Sequence, residues 1–174
     1  QPARSLPQPM RSSGNLDLIM FLNDRGMRPF SRHQEEDWYE RQHKDRETFN
    51  FAIRTLADDR LIGTGGLMNP QRQTRSAELG ISIGDPAFWG GGYGSDAVRL
   101  LLRYGFLELN FNRIWLRVFS FNLRGIASYT KIGFVDEGRE RQAIYRDGAY
   151  HDIIYMSVLR REWDARQAGE EHTS

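Results

Sequence analysis

Hydrophobic residues recur at two different periods along this chain, and together they predict a mixed α/β domain. Alternating or short apolar runs over residues 49–56, 61–68, 78–83, 113–119, 139–145 and 150–159 are typical of β-strands. Helical spacing and helix-start signals predict helices over residues 16–23, 31–46, 98–109 and 122–132. The fold class is therefore α/β (α+β), with one mixed sheet and helices on both of its faces.

Turn signals mark the limits of these elements. Residues 57–60 and Arg146-Asp147-Gly148 each predict a hairpin, and Gly133 predicts the end of the helix over 122–132. Residues 1–14 predict an irregular N-terminus or an edge strand near residues 4–10, since proline is tolerated at sheet edges. We expect one domain over residues 15–163 and a polar tail over residues 164–174.

Composition excludes several classes of function. The 174 residues carry a formal net charge of +1, which gives no basic field for nucleic acid. The chain has no cysteine, and its four histidines lack ligand spacing, so we expect no metal. No apolar run approaches the ~20 residues of a membrane span, and residues 1–9 lack the apolar stretch of a signal peptide. We expect a cytoplasmic protein that binds neither nucleic acid nor membrane.

A glycine-rich turn is the most informative feature of the sequence. Residues 87–97 read Ala-Phe-Trp-Gly-Gly-Gly-Tyr-Gly-Ser-Asp-Ala, between a predicted strand and a predicted helix. Glycines let a ligand approach the main chain closely, and a helix N-terminus adds the positive end of its dipole. The arrangement predicts a site for an anion, most simply a pyrophosphate.

Three carriers of a pyrophosphate can be compared at this turn. A nucleoside triphosphate loop needs Lys-Ser/Thr after its last glycine, but Ser95-Asp96 follows Gly94. Residues 92–97 match the weak dinucleotide pattern, yet the strand over residues 113–119 has no acidic residue to hold a ribose. The remaining sequence favours the third carrier, coenzyme A, and leaves a nucleotide-binding oxidoreductase as a weak alternative.

Two sequence blocks resemble the GCN5-related N-acetyltransferases, nearest the branch of the ribosomal-protein alanine and spermidine acetyltransferases. The first block runs from Ala-Glu-Leu-Gly-Ile-Ser-Ile at 77–83 into the glycine turn. The second, at 122–134, is similar to the family pattern Asn-x-x-Ala-x-x-x-Tyr-x-x-x-Gly-Phe. The family's general pattern has Gln or Arg where Trp89 stands, although this branch often has Trp there, and Gly125 and Ser128 differ from the commoner residues of the second block.

The resemblance implies that acetyl-CoA lies in a cleft where two parallel strands, 79–83 and 114–119, splay apart. Main-chain groups of the first strand would pair with pantetheine, as an added strand does. The turn would hold the pyrophosphate, Asn122 would bond pantetheine, and Arg124 would reach a phosphate. The implied cofactor residues are Ile81, Ser82, Ile83, Trp89, Gly90, Gly91, Gly92, Tyr93, Gly94, Ser95, Asn122 and Arg124.

The implied reaction is direct acetyl transfer to a primary amine. Such an amine has a pKa near 10.4, so about one molecule in 10³ is neutral at pH 7 and a base helps. The resemblance makes Glu78 the candidate base and Tyr129 the acid for the leaving thiolate, with the Ile83 N–H stabilising the oxyanion. Glu78 could instead pair with an arginine such as Arg72 or Arg75.

The acceptor and the assembly stay open at this point. A protein N-terminus, a polyamine or another small amine would each fit the implied chemistry. A catalytically weak acyl-CoA-binding sensor or interaction module is the alternative function. A homodimer is one of the assemblies that the sequence leaves open.

Overall fold

A computed structural model describes residues 48–171, and six strands of this part form one sheet. The strands are β1 (Phe49–Arg54), β2 (Leu61–Gln71), β3 (Ser76–Ile83), β4 (Arg113–Phe119), β5 (Val135–Arg146) and β6 (Ala149–Leu159). The helices are α1 (Tyr93–Arg103), α2 (Leu123–Ile132) and α3 (Arg160–Glu171). A 3₁₀ turn (Pro86–Phe88) precedes α1, and a π-helical segment (Tyr104–Glu108) continues it. The predicted N-terminal edge strand and the predicted helices over 16–23 and 31–46 lie outside the described residues.

The strand order β1-β2-β3-β4-β6-β5 confirms a mostly antiparallel mixed sheet. Only β3 and β4, among the described strands, pair in parallel. Both predicted hairpins are present, and in the second one Asp147 and Gly148 have φ of 52° and 80°. Positive φ at both central residues is what a two-residue hairpin turn with matching twist requires.

The described helices share one hydrophobic core with the sheet. Helix α1 contributes Ala97, Val98, Leu101 and Leu102, all buried, because these positions fall on one helical face. Strands β2, β3, β4 and β6 supply the opposite side of this core, and residues of α2 pack against it as well. The core therefore fixes α1 and α2 next to each other over the β3–β4 pair.

The last helix was not predicted from the sequence. Most of α3 is exposed, so it lacks the apolar stripe from which helices are recognised. Trp163 attaches it to the core, its ring 5.5 Å from that of Phe106, and Arg160 pairs with Asp164 one turn later. The predicted polar tail is thus polar but largely helical.

Candidate active site

Strands β3 and β4 separate halfway along their length. Their register pairs end at Glu78 opposite Trp115, although β3 continues to Ile83 and β4 to Phe119. The parallel pair therefore opens into a cleft toward the carboxyl ends of both strands. The family resemblance implies that acetyl-CoA lies in this position.

The antiparallel ladder with β2 decides which main-chain groups of β3 face this cleft. The Gly84 N–H donates to the Ile62 carbonyl at 2.8 Å, so the main-chain N–H and C=O of Gly84 face β2. Main-chain groups alternate along a strand, and those of Ser82 therefore face β2 as well. The main chains of Ile81 and Ile83 consequently turn toward the cleft, as predicted for an added strand. Ser82 offers the cleft no main-chain pairing, and its buried Oγ has no hydrogen-bond partner within the described part of the chain.

The glycine turn leaves open space in front of a helix N-terminus. Gly90 and Gly92 have φ of 80° and 88°, and a Cβ added to either would meet no atom of the described residues within 4 Å. Gly92 is the N-cap of α1 and provides no side-chain cap. The first intrahelical bond runs from Asp96 N–H to Gly92 O, so the N–H groups of residues 93–95 have no partner within the helix. A turn of this kind can receive an anion on its main-chain donors.

The remaining residues of the turn pack against one another. A Cβ added to Gly94 would meet only Ile83 Cγ1, at 3.9 Å, whereas one on Gly91 would meet the Tyr93 ring at 3.1 Å. The Tyr93 ring lies edge-on to Phe88, with centroids 5.5 Å apart. These aromatic contacts hold the turn in place beside the open space.

Helix α2 begins at the other side of the cleft mouth. Asn122 Oδ1 accepts a hydrogen bond from Gly125 N–H at 3.0 Å, so this part of the side chain caps the helix. The Asn122 Nδ2 group is left as the hydrogen-bond donor that could reach pantetheine. A Cβ on Gly125 would lie 2.6 Å from Asn122 Nδ2, so an alanine here would require the Asn122 side chain to shift. The Ser95 and Ser128 hydroxyls, 2.8 Å apart, tie α2 to α1.

Trp89 connects the two sides of the mouth. Its indole N–H donates to the Ile83 carbonyl at 2.8 Å, and the Arg124 guanidinium lies over its ring, 4.5 Å from the centroid. The Ile83 carbonyl is therefore already paired, and its N–H is the group left for the cofactor. The aromatic ring at the family's Gln or Arg position thus has a defined structural role.

Tyr129 points from α2 into a largely apolar environment. Its ring packs 5.7 Å from that of Phe134 and against the main core. Burial raises the pKa of Tyr129 to about 12, so the phenol is protonated at neutral pH. A pKa of about 12 exceeds that of an ordinary thiol, about 8.5, so transfer of the phenol proton to a free thiolate is unfavourable. The hydroxyl is better suited to donate a hydrogen bond to developing thiolate charge than to release its proton first.

Glu78 lies at the apex of the cleft, where β3 and β4 last pair. The residue is 7% exposed, and its two carboxylate oxygens accept hydrogen bonds from Arg117 Nε at 3.0 Å and Asn69 Nδ2 at 2.9 Å. The sequence alternative named Arg72 or Arg75 as the partner; the structure pairs Glu78 with Arg117 of the neighbouring strand. The sequence contains a signal for this partner: side chains alternate along β4, so Arg117 lies on the same face as Trp115, and Trp115 is opposite Glu78.

A polar and aromatic row continues from Glu78 across the sheet, which sequence reasoning missed. Trp115 stacks on Tyr155 with ring centroids 6.1 Å apart, and the Tyr155 hydroxyl donates to Glu140 at 3.2 Å. Burial, followed by the nearby Glu140 carboxylate, raises the pKa of Tyr155. The row joins three strands through tertiary pairing and leaves no local sequence motif.

The residues that the structure describes contain neither a candidate metal centre nor a helix that could span a membrane. Within residues 48–171, no group of three or more His, Asp or Glu side chains is arranged to hold a metal ion. No helix in that same range is long and apolar enough to cross a membrane.

Known proteins resemble this chain in both sequence and structure. A sequence profile described as an acetyltransferase (GNAT) domain matches residues 9–135. YdaF of Bacillus subtilis, provisionally named a ribosomal N-acetyltransferase, is 35% identical over 131 residues, which cover 75% of this chain and 69% of YdaF. The spermidine N(1)-acetyltransferase of Vibrio cholerae is 30% identical over 128 residues, covering 74% and 73% of the two chains.

Solved structures of the Vibrio cholerae enzyme match the fold as well. Its complex with CoA and spermine has a TM-score of 0.72 at 28% identity, covering 79% of this chain and 80% of that chain. A structure described as dodecameric has a TM-score of 0.71 at 29% identity, covering 80% and 81%.

Proposed function

Because this chain belongs to the GNAT acetyltransferase family and is an acetyl-CoA-dependent N-acetyltransferase, we propose that Glu78 and Tyr129 serve its transfer of acetyl to a primary amine. The opening of the β3–β4 pair beside the open glycine turn carries this proposal. Pantetheine adds to β3 through Ile81 and Ile83, and the diphosphate takes the N–H groups around Gly92. The acetyl group then points toward the apex of the cleft, at Glu78.

The reaction needs no covalent enzyme intermediate. The neutral amine attacks the thioester carbonyl and forms the C–N bond, and the C–S bond breaks. The amine's surplus proton passes through water to Glu78, and the departing thiolate takes a proton from solvent. A main-chain N–H of β3 stabilises the oxyanion. The main chains of Leu79, Ile81 and Ile83 turn to the cleft side in alternation, and Leu79 directly follows the last pair. The N–H of Ile81 lies nearer Glu78 than that of the predicted donor, Ile83.

Glu78 acts as the base through water, while Tyr129 donates its hydrogen bond to the departing sulfur. Each Glu78 oxygen retains a lone pair beyond its bond to Arg117 or Asn69. Arg117 orients the carboxylate, which can then accept the amine's proton through a water placed between the two groups. The buried Tyr129 hydroxyl stays protonated across the working pH range.

The test is release of free thiol from acetyl-CoA with a panel of amines: spermidine, spermine, peptides with a free N-terminal alanine, and aminoglycosides. We expect turnover with at least one, and a kcat about 10²-fold lower for Tyr129→Phe. Tyr104→Phe is the matched control, since Tyr104 packs against the same core. Acetyl-CoA binding without thiol release for every amine would instead support a sensor. Unchanged kcat in Tyr129→Phe would remove its assigned role.

Assembly and compartment complete the proposal. The Vibrio cholerae relative is described as dodecameric, so we propose that this chain also forms an oligomer rather than remaining a monomer. Light scattering at micromolar concentration decides this, and the mass of a single chain would contradict it. We place the enzyme in the cytoplasm, where acetyl-CoA is available.

A further inference from the structure

A β-bulge interrupts β2 directly beside Glu78. The register with β3 shifts between Met68, which is opposite Glu78, and Gln71, so residues 69–70 stand opposite the single residue Ala77. Bulges bend a strand and turn a side chain in a new direction, and they are common next to active sites. The side chains of residues 69–70 are therefore released from the regular alternation of β2.

The sequence of the bulge, Asn69-Pro70, suits this conformation. Asn69 has a φ of 49°, in the left-handed region that asparagine tolerates better than most residues. Pro70 disfavours a right-handed helical conformation at Asn69 and has no N–H to donate to a sheet ladder. A left-handed residue inside a strand carries a conformational cost, and such residues cluster at functional sites.

The bulge brings the Asn69 side chain to the Glu78 face of the sheet. Met68 already lies on this face, because a Cβ added to Gly80 would be 2.6 Å from Met68 Cε, and Gly80 shares a face with Glu78. Regular alternation would place Asn69 on the opposite face with Leu67, which is fully buried in the core. Asn69 is instead exposed, and its Nδ2 donates to Glu78 Oε2 at 2.9 Å. The bulge therefore supplies Glu78 with a donor that an unbroken strand would not supply.

Two donors from different strands hold the Glu78 carboxylate. Arg117 Nε of β4 lies 3.0 Å from Oε1, and Asn69 Nδ2 of β2 lies 2.9 Å from Oε2. The terminal torsion of a glutamate is broad, so a single donor would leave the carboxylate free to turn about its last bond. Donors on both oxygens fix the plane of the carboxylate. Because the Asn69 amide is neutral, it adds orientation without a second ion pair.

We propose that Asn69 is a positioning residue for Glu78, and that the bulge in β2 serves to place its amide. The amide holds the Glu78 carboxylate in the plane from which it accepts the amine's proton through water. Small misplacements of a reacting group lower the rate even when the cofactor binds normally. This inference rests on the proposed function in taking Glu78 as the base.

The experiment compares wild type with Asn69→Gly, using acetyl-CoA and the fastest amine of the panel above. Glycine adopts a positive φ freely, so this change keeps the bulge and removes only the donor to Glu78. We expect kcat to fall about tenfold at pH 7 and clearly less near pH 10, with the KM for acetyl-CoA unchanged. Asn110→Gly is the matched control and should keep the wild-type kcat, because Asn110 is also exposed and has a φ of 54°. A wild-type kcat in Asn69→Gly, or a loss that is the same at both pH values, would overturn the positioning role.

The Glu78→Gln background tests whether Asn69 acts through Glu78. Adding Asn69→Gly to Glu78→Gln should lower kcat no further, whereas losses that multiply would overturn the proposal. If Glu78→Gln loses activity and Asn69→Gly does not, the base stands and only the positioning role is rejected. An unchanged kcat in Glu78→Gln would instead reject the base of the proposed function.

Crystal structures of wild type and Asn69→Gly give a readout that needs no turnover. We expect one orientation of the Glu78 carboxylate plane in wild type, and a rotated or divided one in the variant. The same single orientation in both proteins would overturn the proposal, whichever amines the enzyme acetylates.

Discussion

Replacing Gly92 with alanine separates the binding role of the glycine turn from its conformational role. Gly92 has φ of 88°, where an L-residue costs about 1–2 kcal/mol. Among residues 48–171, an added Cβ would meet no atom within 4 Å, so strain is the main cost in the free protein. For a domain of this size, that cost corresponds to a fall in Tm of roughly 2–8 °C.

Gly148 provides a matched control at the other end of the sheet. It has φ of 80°, and its added Cβ would likewise meet nothing within 4 Å. Gly148→Ala should therefore lose a similar amount of stability to Gly92→Ala. Only Gly92 lies at the proposed pyrophosphate site, where the new methyl group would occupy the space of the ligand.

The assay is thermal unfolding with and without acetyl-CoA. At a ligand concentration of 100 times Kd, wild type and Gly148→Ala should each gain about 2.7 kcal/mol. A tenfold weaker Kd in Gly92→Ala would reduce this gain to about 1.4 kcal/mol at the same concentration. If acetyl-CoA stabilises both variants equally, the glycine turn is not the pyrophosphate site.

Three further predictions concern individual side chains. Glu78→Gln should lower kcat/KM strongly at pH 7 and less near pH 10, where the amine deprotonates unaided. The control Glu137→Gln removes another arginine-paired carboxylate of the sheet and should not lower kcat/KM. A loss in Glu78→Gln that is independent of pH would indicate that Glu78 is structural. Burial raises the folded-state pKa of Tyr129 from 10 to about 12, so its contribution to stability is intact below pH 10 and is lost between pH 10 and 12. In urea unfolding, the free energy of unfolding should therefore fall from pH 9 to pH 11 by about 1.3 kcal/mol more for wild type than for Tyr129→Phe. Equal losses would show that the phenol is not buried in solution. Gly105→Ala should destabilise the folded protein by about 1–3 kcal/mol, because the added Cβ would lie 2.6 Å from Ile114 Cδ1. A higher free energy of unfolding in urea for this variant would show that the core relaxes freely.

Local signals in the sequence were sufficient for most of the fold. Strand β4 occupies the predicted residues 113–119, and Asn122 and Gly133 bound α2 as predicted. Helix α1 begins at Tyr93, earlier than the predicted Val98, because glycine-rich residues give no apolar signal although they adopt helical geometry. Helix α3 escaped prediction because one anchoring residue, Trp163, does not create a periodic pattern.

The sequence by itself determined the chemistry of the cofactor turn, since the glycines, the strand before them and the helix after them are contiguous. The tertiary structure decided which groups of those residues are available. It turned the Ser82 main chain toward β2, paired the Ile83 carbonyl with Trp89, and gave Glu78 the partner Arg117. The physical reason is that strand register and the meeting of β3 with β4 assign each polar group a neighbour from a distant part of the chain. A hydrogen bond between such neighbours leaves no trace in the spacing of residues along the sequence.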